Sequence, residues 1–403
     1  MNAVIVNDFA FVNGGAGQIA FYTARKLAEK GNQVYFFSAV PPIAGDLKKQ
    51  NIKVICLNQK DILNEPNRLQ AAIRGIWNIR ASKEMEALLR KLSPSNTVLH
   101  IHGLQKAIST SILAKAHHMG FRIIYHLHDY GMACPNLGFF DYKRQMICHK
   151  KAMGIACVCT NCDRRSYIQK VWRMARQLVQ IKFGGLPEYV DAFIYISSFS
   201  LDFLKPYIPK STKLFFVQNP LEVEKKPLMD IEGNKSFLFI GRLSPEKNPV
   251  FLARAAAELQ VPVIFLGDGT EADKIKKINP KAKLMGWVAH ERLYDYISKS
   301  RALIFPSILG ETQGLSAFEA QAYGLPVIVS DTCAAREAIV DGQSGLLFRN
   351  NSLDSLKKCM SELLSDDVAK RMSVNSYSEF WNHHNNKDAY IDRLLSIYQK
   401  VLR

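Results

Sequence analysis

The chain has 403 residues, 48% of them hydrophobic, with a mean hydropathy of −0.08. That length suits two domains, and that composition excludes a disordered or collagen-like chain. Lys and Arg number 53 against 36 Asp and Glu, a net +17. The excess is uneven, because residues 1–222 hold 29 basic and 14 acidic side chains while residues 223–403 hold 24 and 22. The first half is therefore expected to meet something anionic: nucleic acid, a membrane surface or a phosphorylated ligand.

Residues 2–6 read as a short buried strand, followed by the glycine-rich turn Asn13-Gly14-Gly15-Ala16-Gly17. Helical spacing then runs from Gln18 to Lys30 (Ile19, Ala20, Thr23, Leu27), closed by Gly31, and 34–37 is the next strand. Further strands are expected at 53–57, 97–101, 122–127, 192–196 and 213–217. Residues 222–235 are polar, hold Pro227 and Gly233, and read as a linker. A second series follows at 236–240, 261–266, 282–285, 301–305, 326–329 and 345–348, with helical patterns between. Asp388 to Arg403 is helical, with Ile391, Leu394, Leu395, Tyr398 and Leu402 on one face. Alternation of this kind implies two α/β domains with parallel sheets: 1–221 and 236–380, joined by 222–235 and followed by a helical segment at 381–403. No apolar run approaches the roughly 18 residues of a spanning helix. The start lacks the basic region of a signal peptide, so a cytosolic chain is expected.

Gly14 and Gly15 sit where backbone N–H groups can approach a phosphate at a helix start. A tight turn without a ligand is the plainer alternative. Position 20 is Ala, so the G-x-G-x-x-G register fails, which argues against a dehydrogenase. In the second series the strand at 236–240 runs into Gly241 and delivers Arg242 and Lys247 at its C-terminal end. That end faces the ligand crevice in open α/β sheets, and two cations there suit a diphosphate. Leu266-Gly267-Asp268-Gly269-Thr270 repeats the strand–turn–helix pattern. Between Phe305 and Ala320, Glu311 lies in a loop, Gln313-Gly314-Leu315 opens a helix with free N–H groups, and Glu319 sits two turns along it. Carboxylates there can accept from sugar hydroxyls; read singly, Glu311 is equally a capping residue and Glu319 a solvated position.

There are eight cysteines, five of them within residues 134–162. The spacing Cys134-x13-Cys148-x10-Cys159-x2-Cys162 is compatible with structural Zn²⁺, with Cys157 or His149 as substitute ligands and reduced thiols as the alternative.

The motifs Gly-Arg-Leu-x-x-x-Lys-Asn, Gly-Asp-Gly, Pro-Ser-x-x-x-Glu-x7-Glu-Ala-x-Ala-x-Gly-x-Pro-Val-Ile and Gly-x-x-Gly-Leu-Leu-Phe together resemble glycosyltransferase family 4. The resemblance covers essentially the whole chain and is strongest from Phe237 to Phe348. It implies a GT-B fold: two Rossmann-like domains facing a cleft, with the C-terminal helix returning to the N-terminal domain. It also implies a retaining hexosyltransferase that takes a UDP- or GDP-sugar and needs no cofactor for catalysis. By the same resemblance, Arg242 and Lys247 bind the donor diphosphate, with Gly241 beside them. Glu311 contacts donor-sugar hydroxyls, Glu319 the ribose, and Gln313, Gly314 and Leu315 offer amides to the sugar. Gly14 and Gly15 match the N-terminal loop near phosphate and acceptor, although the acidic residue the family often carries shortly afterwards is replaced by Gly17-Gln18. His128, at the end of the strand ending Tyr125-His126-Leu127-His128-Asp129, matches the active-site His, with His126 the alternative on the same face. A similar cysteine series after His-Asp-Tyr occurs in a subset of the family.

Residues 143–182 hold ten basic residues and one acidic, Asp163. Ile168, Val171, Trp172, Ala175, Leu178 and Val179 share one helical face, with Lys170, Arg173 and Arg176 elsewhere. Such a helix suits an anionic membrane surface, or it packs that face on its own core. The expected partners are thus a nucleotide-sugar donor, a glycan or lipid-linked acceptor and an anionic membrane, not nucleic acid. The expected place is the cytoplasm, peripheral at the inner face of the membrane, and the expected role is surface polysaccharide assembly. The alternatives are a non-catalytic GT-B-like binding protein and a sugar-nucleotide epimerase.

Overall fold

The computed structural model describes residues 1–48, 51–308, 311–384 and 387–403, and the chain divides into two compact units. Unit 1 comprises residues 1–139, 149–219 and 388–403; unit 2 comprises 140–148 and 220–387.

Unit 1 is built on β1 (Asn2–Val6), β2 (Gln33–Ser38), β3 (Ile52–Cys56), β4 (Thr97–Ile101) and β5 (Arg122–His126). The short antiparallel pair β6 (Phe140–Asp141) and β7 (Met146–Ile147) groups with unit 2, and β8 (Ala192–Tyr195) and β9 (Lys213–Phe216) complete the unit 1 sheet. All seven strands are parallel, in the order β3-β2-β1-β4-β5-β8-β9. β1 shows why its sequence is apolar at every position from Ala3 to Val6. Val4 and Val6 enter the core on one face, and Ala3 and Ile5 the core on the other.

The helices of unit 1 are α1 (Gly15–Glu29), α2 (Arg68–Ile76), α3 (Ile79–Leu89), α4 (Ser111–His118), α5 (Ile155–Val158), α6 (Tyr167–Lys182) and α7 (Ser198–Leu204). Asn67, Asn78 and Ser166 cap α2, α3 and α6, each side chain accepting an N–H three residues on.

Unit 2 holds a six-stranded parallel sheet, in the order β12-β11-β10-β13-β14-β15, made of β10 (Ser236–Ile240), β11 (Val263–Leu266), β12 (Lys283–Leu284), β13 (Ser300–Phe305), β14 (Val327–Ser330) and β15 (Gly345–Phe348). Its helices are α8 (Pro249–Glu258), α9 (Ala272–Ile278), α10 (Leu293–Ile297), α11 (Leu315–Ala322), α12 (Leu353–Glu362) and α13 (Asp366–Glu379). The last helix, α14 (Lys387–Leu402), belongs from Asp388 onward to unit 1, as expected. It buries Tyr390, Leu394 and Tyr398 in the core shared with α1, and the Thr23 and Tyr390 hydroxyls lie 2.8 Å apart.

All thirteen expected strands are present, with ends shifted by at most two residues. The segment 222–235 is irregular, as a linker would be, but it is packed. Val223, Met229 and Ile231 are buried in the core of unit 2, so these residues are part of that unit.

In each sheet the strand order reverses once, between β1 and β4 and between β10 and β13. Crevices open at the C-terminal ends of strands at such switch points, and the motif residues gather at both.

Candidate functional site

In unit 2, β10 ends at the switch point and the chain turns through Gly241, at φ 151, into Arg242. A Cβ on Gly267 would stand 2.0 Å from the Gly241 carbonyl oxygen, and φ there is 134. The two loops lie backbone on backbone: Gly241 N–H donates to Leu266 O at 2.9 Å and Leu243 N–H to Asp268 O at 2.9 Å. The Gly-Asp-Gly motif therefore exists to let the β11 loop press the Arg242 loop into place.

Arg242 is exposed, and its Nη2 lies 3.6 Å from the carboxylate of buried Glu246. Glu246 in turn accepts, through its backbone carbonyl, the N–H of Ile308 at 3.0 Å, which ties the loop after β10 to the loop after β13. Lys247 reaches across this seam to form an ion pair with Glu311, and its Nζ sits 5.6 Å from the centre of the Phe305 ring. Leu309 and Gly310 lie outside the described residues. Gly314 is the N-cap of α11 at φ 85, and a Cβ there would meet Ala335 Cβ at 2.6 Å. Only glycine allows α11 to begin so close to its neighbour. Its first turn carries no acidic side chain, and the positive end of a helix favours an anion or a hydroxyl oxygen.

Glu319 is buried, and its Oε1 lies within hydrogen-bond distance of His290 Nε2, at 2.9 Å. The Glu319 hydrogen bond raises the pKa of His290 above its ordinary value. Beside this pair lies a cavity of about 240 Å³ bounded by Glu224, Lys226, Tyr294 and Tyr323. His290 was not singled out from the sequence. A lone His in a short 3₁₀ turn carries no spacing signal, and only the fold brings it to Glu319.

In unit 1, the C-terminal ends of β1 and β4 carry Asn7-Asp8 and His102-Gly103. Asp8 is buried and accepts three backbone N–H groups, from Lys106 at 2.8 Å, Ala107 at 2.8 Å and Ile108 at 2.9 Å. Burial raises its pKa and those hydrogen bonds oppose the rise. Asp8 fixes the loop after β4 rather than offering a free carboxylate. Gly14, at φ 91, caps α1, with no atom within 4 Å of where a Cβ would be; Gly15 begins the helix and is exposed.

Four histidines line the ends of β4 and β5. The His128 and His126 rings stack at 4.0 Å, and the His126 and His100 rings at 5.3 Å with 6° between their planes. His102 Nδ1 lies 2.9 Å from His128 Nε2, and His100 Nδ1 lies 2.6 Å from the Tyr398 hydroxyl on α14. Burial holds His100 and His128 down to about 3 and drives His102 and His126 well below their ordinary value, so all four are neutral at pH 7. His126 is wholly enclosed, whereas His128 keeps some exposure at the crevice. Of the two, His128 is the one a ligand can touch. Among the described residues, His100, His102 and His126 are the group of three whose possible ligand atoms lie within 4.8 Å of one another. Within that group only His100 and His126 lie in near-parallel planes; His102 is tilted by 41° to His100 and by 36° to His126.

The cysteines do not form such a group among the described residues. Cys134, Cys157 and Cys162 are buried, Cys148 is half-buried and Cys159 exposed. Three backbone N–H groups, of Asn136, Gly138 and Phe139, point at Cys134, whose thiol burial pushes up to about 11. Asn136 Nδ2 donates to Cys162 Sγ at 3.1 Å.

Residues 222–379 match the family model described as "Glycosyl transferases group 1". Among curated proteins, the chain is similar to the UDP-Gal:alpha-D-GlcNAc-diphosphoundecaprenol alpha-1,3-galactosyltransferase of Escherichia coli, 28% identical over 195 residues covering 43% of this chain and 49% of that protein. It is also similar to the N-acetylgalactosamine-N,N'-diacetylbacillosaminyl-diphospho-undecaprenol 4-alpha-N-acetylgalactosaminyltransferase of Campylobacter jejuni, 29% identical over 178 residues, 41% of this chain and 48% of that one. The chain thus spans about half the length of these relatives. Among solved structures, sucrose-phosphate synthase from Thermosynechococcus elongatus superposes with a TM-score of 0.72 at 16% identity over 99% of this chain and 98% of that one. HepE of Anabaena in complex with UDP gives 0.68 at 14% identity over 99% and 100%. These likenesses show that the fold is GT-B.

Proposed function

We propose that the chain, whose residues 222–379 match the group 1 glycosyl transferase model, is a glycosyltransferase that moves a sugar, with retention of anomeric configuration, from a UDP- or GDP-sugar to a lipid-linked glycan acceptor in surface polysaccharide biosynthesis. The observation that carries this reading is the gathering of Arg242, the Lys247–Glu311 pair and the start of α11 at one switch point. A departing nucleoside diphosphate develops charge, and preorganised cations and helix amides stabilise that charge without reorganising. Lys247 and Arg242 take the diphosphate, Glu311 and the Gln313–Leu315 amides the sugar, and Glu319 the ribose. His128 serves the sugar and the crevice of unit 1 the acceptor. The departing phosphate takes the proton of the acceptor hydroxyl on the face it leaves, which gives retention without a protein nucleophile. The two relatives whose names specify diphosphoundecaprenol-linked substrates support the choice of acceptor.

The test has two stages. UDP, GDP and their sugars are screened by thermal shift, where a ligand at about 100 times its Kd adds about 2.7 kcal/mol of stability. The donor found is then assayed for transfer to polyprenol-diphosphate-linked sugars. Absence of transfer from every nucleotide sugar overturns the reading.

The same reading includes structural Zn²⁺ held by Cys134, Cys148, Cys159 and Cys162. The support is local: amide and Asn136 donors aimed at Cys134 and Cys162 suit thiolates held by a metal. Metal analysis of freshly purified protein decides it: one zinc per chain, lost in Cys134→Ser, supports the site, and none removes it.

A further inference from the structure

Helix α6 is inside out. The sequence offers two readings of its apolar face, against a membrane or on the chain's own core, and the structure turns that face outward. Ile168 is 80% exposed, and Val171, Ala175, Leu178 and Ile181 follow it along the exposed side. Lys170, Met174, Arg176, Gln177 and Gln180 are the buried residues.

The inversion has a physical cause. The layer beneath α6 is not a sheet face but irregular backbone with carbonyls that need donors. Gln177 Nε2 donates to Met132 O at 2.8 Å, Gln180 Nε2 to Gly131 O at 3.0 Å, and Arg176 Nη1 to Gln105 O at 3.0 Å. Lys170 donates to the carbonyls of Cys157 and Thr160. Arg173 pairs at 2.9 Å with buried Asp163. The polar side of the helix holds backbone of its own unit, and on the apolar side Ile168, Val171, Ala175 and Leu178 are left exposed.

The neighbouring helix α2 adds to the surface. Trp172 donates its indole N–H to Ala72 O at 3.2 Å and lies over Gly75, where a Cβ would be 2.8 Å from the ring. This contact sets the two helices side by side, and α2 turns Leu69, 71% exposed, and Ile73 to solvent. A cavity of about 230 Å³ between them is lined by Leu63, Ile168 and Trp172 together with Arg68, Arg165 and Arg173. Exposed cations border the face: Arg164 and Arg165 before α6, Lys182 at its end, Arg68 at the start of α2. From residue 149 to 183 the sole acidic residue is Asp163, which is buried and already paired.

We propose that the outward faces of α6 and α2 dock on an anionic lipid bilayer, with Ile168, Val171, Leu178, Leu69 and Ile73 entering the headgroup–acyl boundary and the bordering cations meeting lipid phosphates. The charge pattern selects this occupant: a basic border along α6 and at the start of α2 complements an anionic interface, and it repels a second copy of itself. The proposal rests on the reading of the chain as acting on a lipid-linked acceptor, and it deepens that reading by naming the surface that brings the enzyme to it.

The experiment is flotation of the full chain with phosphatidylcholine vesicles, with and without phosphatidylglycerol, in the absence of any nucleotide. The wild type binds the anionic vesicles, and binding falls as salt shortens the Debye length from about 10 Å to about 3 Å. Ile168→Ser with Leu178→Ser, and separately Leu69→Ser with Ile73→Ser, each weaken binding at least about tenfold. Arg164→Glu with Arg165→Glu weakens it in the anionic vesicles alone. All six positions are exposed, so the melting temperature stays near that of the wild type, and transfer to a water-soluble acceptor mimic is unchanged. Failure of that transfer in the wild type counts against the glycosyltransferase reading and leaves the vesicle result standing. Equal vesicle binding by wild type and serine variants overturns the docking face. So does a wild type that ignores vesicles and instead self-associates in solution through Ile168 and Leu178.

Discussion

On the proposed reading, in which Lys247 takes the donor diphosphate, the ligand has to displace Glu311 from its ion pair with Lys247. Both side chains are about one-fifth exposed, at 20% and 17%. Unit charges about 4 Å apart attract by about 4 kcal/mol at an effective dielectric near 20. Solvent screening and desolvation reduce the net value of a pair this exposed to about 1 kcal/mol. Glu311→Gln removes the competitor and keeps the shape, so UDP or GDP, whichever is the ligand, should bind about fivefold tighter. The same variant loses a charge-assisted hydrogen bond to a sugar hydroxyl, worth about 1.5–3 kcal/mol, so transfer should slow by about 10- to 100-fold or more. Lys247→Met should do the opposite to binding, weakening the nucleotide by at least about tenfold. Calorimetric titration with the free nucleotide and initial transfer rates read the two effects separately. The reasoning fails if Glu311→Gln weakens nucleotide binding as much as Lys247→Met does, since the two groups would then act together in binding rather than in competition.

Two further outcomes follow from neighbouring contacts. His290 is raised by its hydrogen bond to Glu319, so its contribution to stability is fully present below the ordinary His value of about 6.5 and disappears as pH rises through the folded value. A ribose that takes Glu319 must displace the protonated ring, so nucleotide affinity should improve as pH rises through that window, and His290→Ala should flatten the dependence; a pH profile unaltered by His290→Ala contradicts the competition. Gly267→Ala places a Cβ 2.0 Å from Gly241 O at φ 134 and should cost about 2–4 kcal/mol, or a fall of roughly 5–15 °C in the melting temperature of its unit. Gly233→Ala, at φ 73 with nothing within 4 Å, should cost only about 1 kcal/mol, and equal losses at both sites would show that backbone approach is not the cause.

The fold was legible because parallel strands buried on both faces leave continuous apolar runs, as in β1, and each is closed by a turn residue. Arg242, Lys247, Glu311 and Glu319 could be singled out in the sequence because they sit at fixed distances from strand ends. What stayed hidden depends on three-dimensional proximity. His290 meets Glu319 from 29 residues away, and His102 meets His128 from 26. The packing of Val223, Met229 and Ile231 could not be read from a polar, aperiodic stretch, because three isolated apolar residues carry no period. For α6 the period was right and the direction open. A helical wheel shows which residues share a face, and what lies under the helix decides which face turns in.

That decision also changes where the charge of this chain acts. Counting alone places +9 in residues 143–182 and suggests that the basic side of α6 meets the anionic partner. In the structure Lys170 and Arg176 are interior donors to carbonyls and Arg173 neutralises Asp163. Burial brings Arg176 down to about 10, which leaves it charged at neutral pH and anchored beneath the helix. The cations left to face outward flank the apolar rows rather than oppose them. With both on one surface, area burial and phosphate attraction act in the same direction, and the loops after His128 are held by the other side of the same helix.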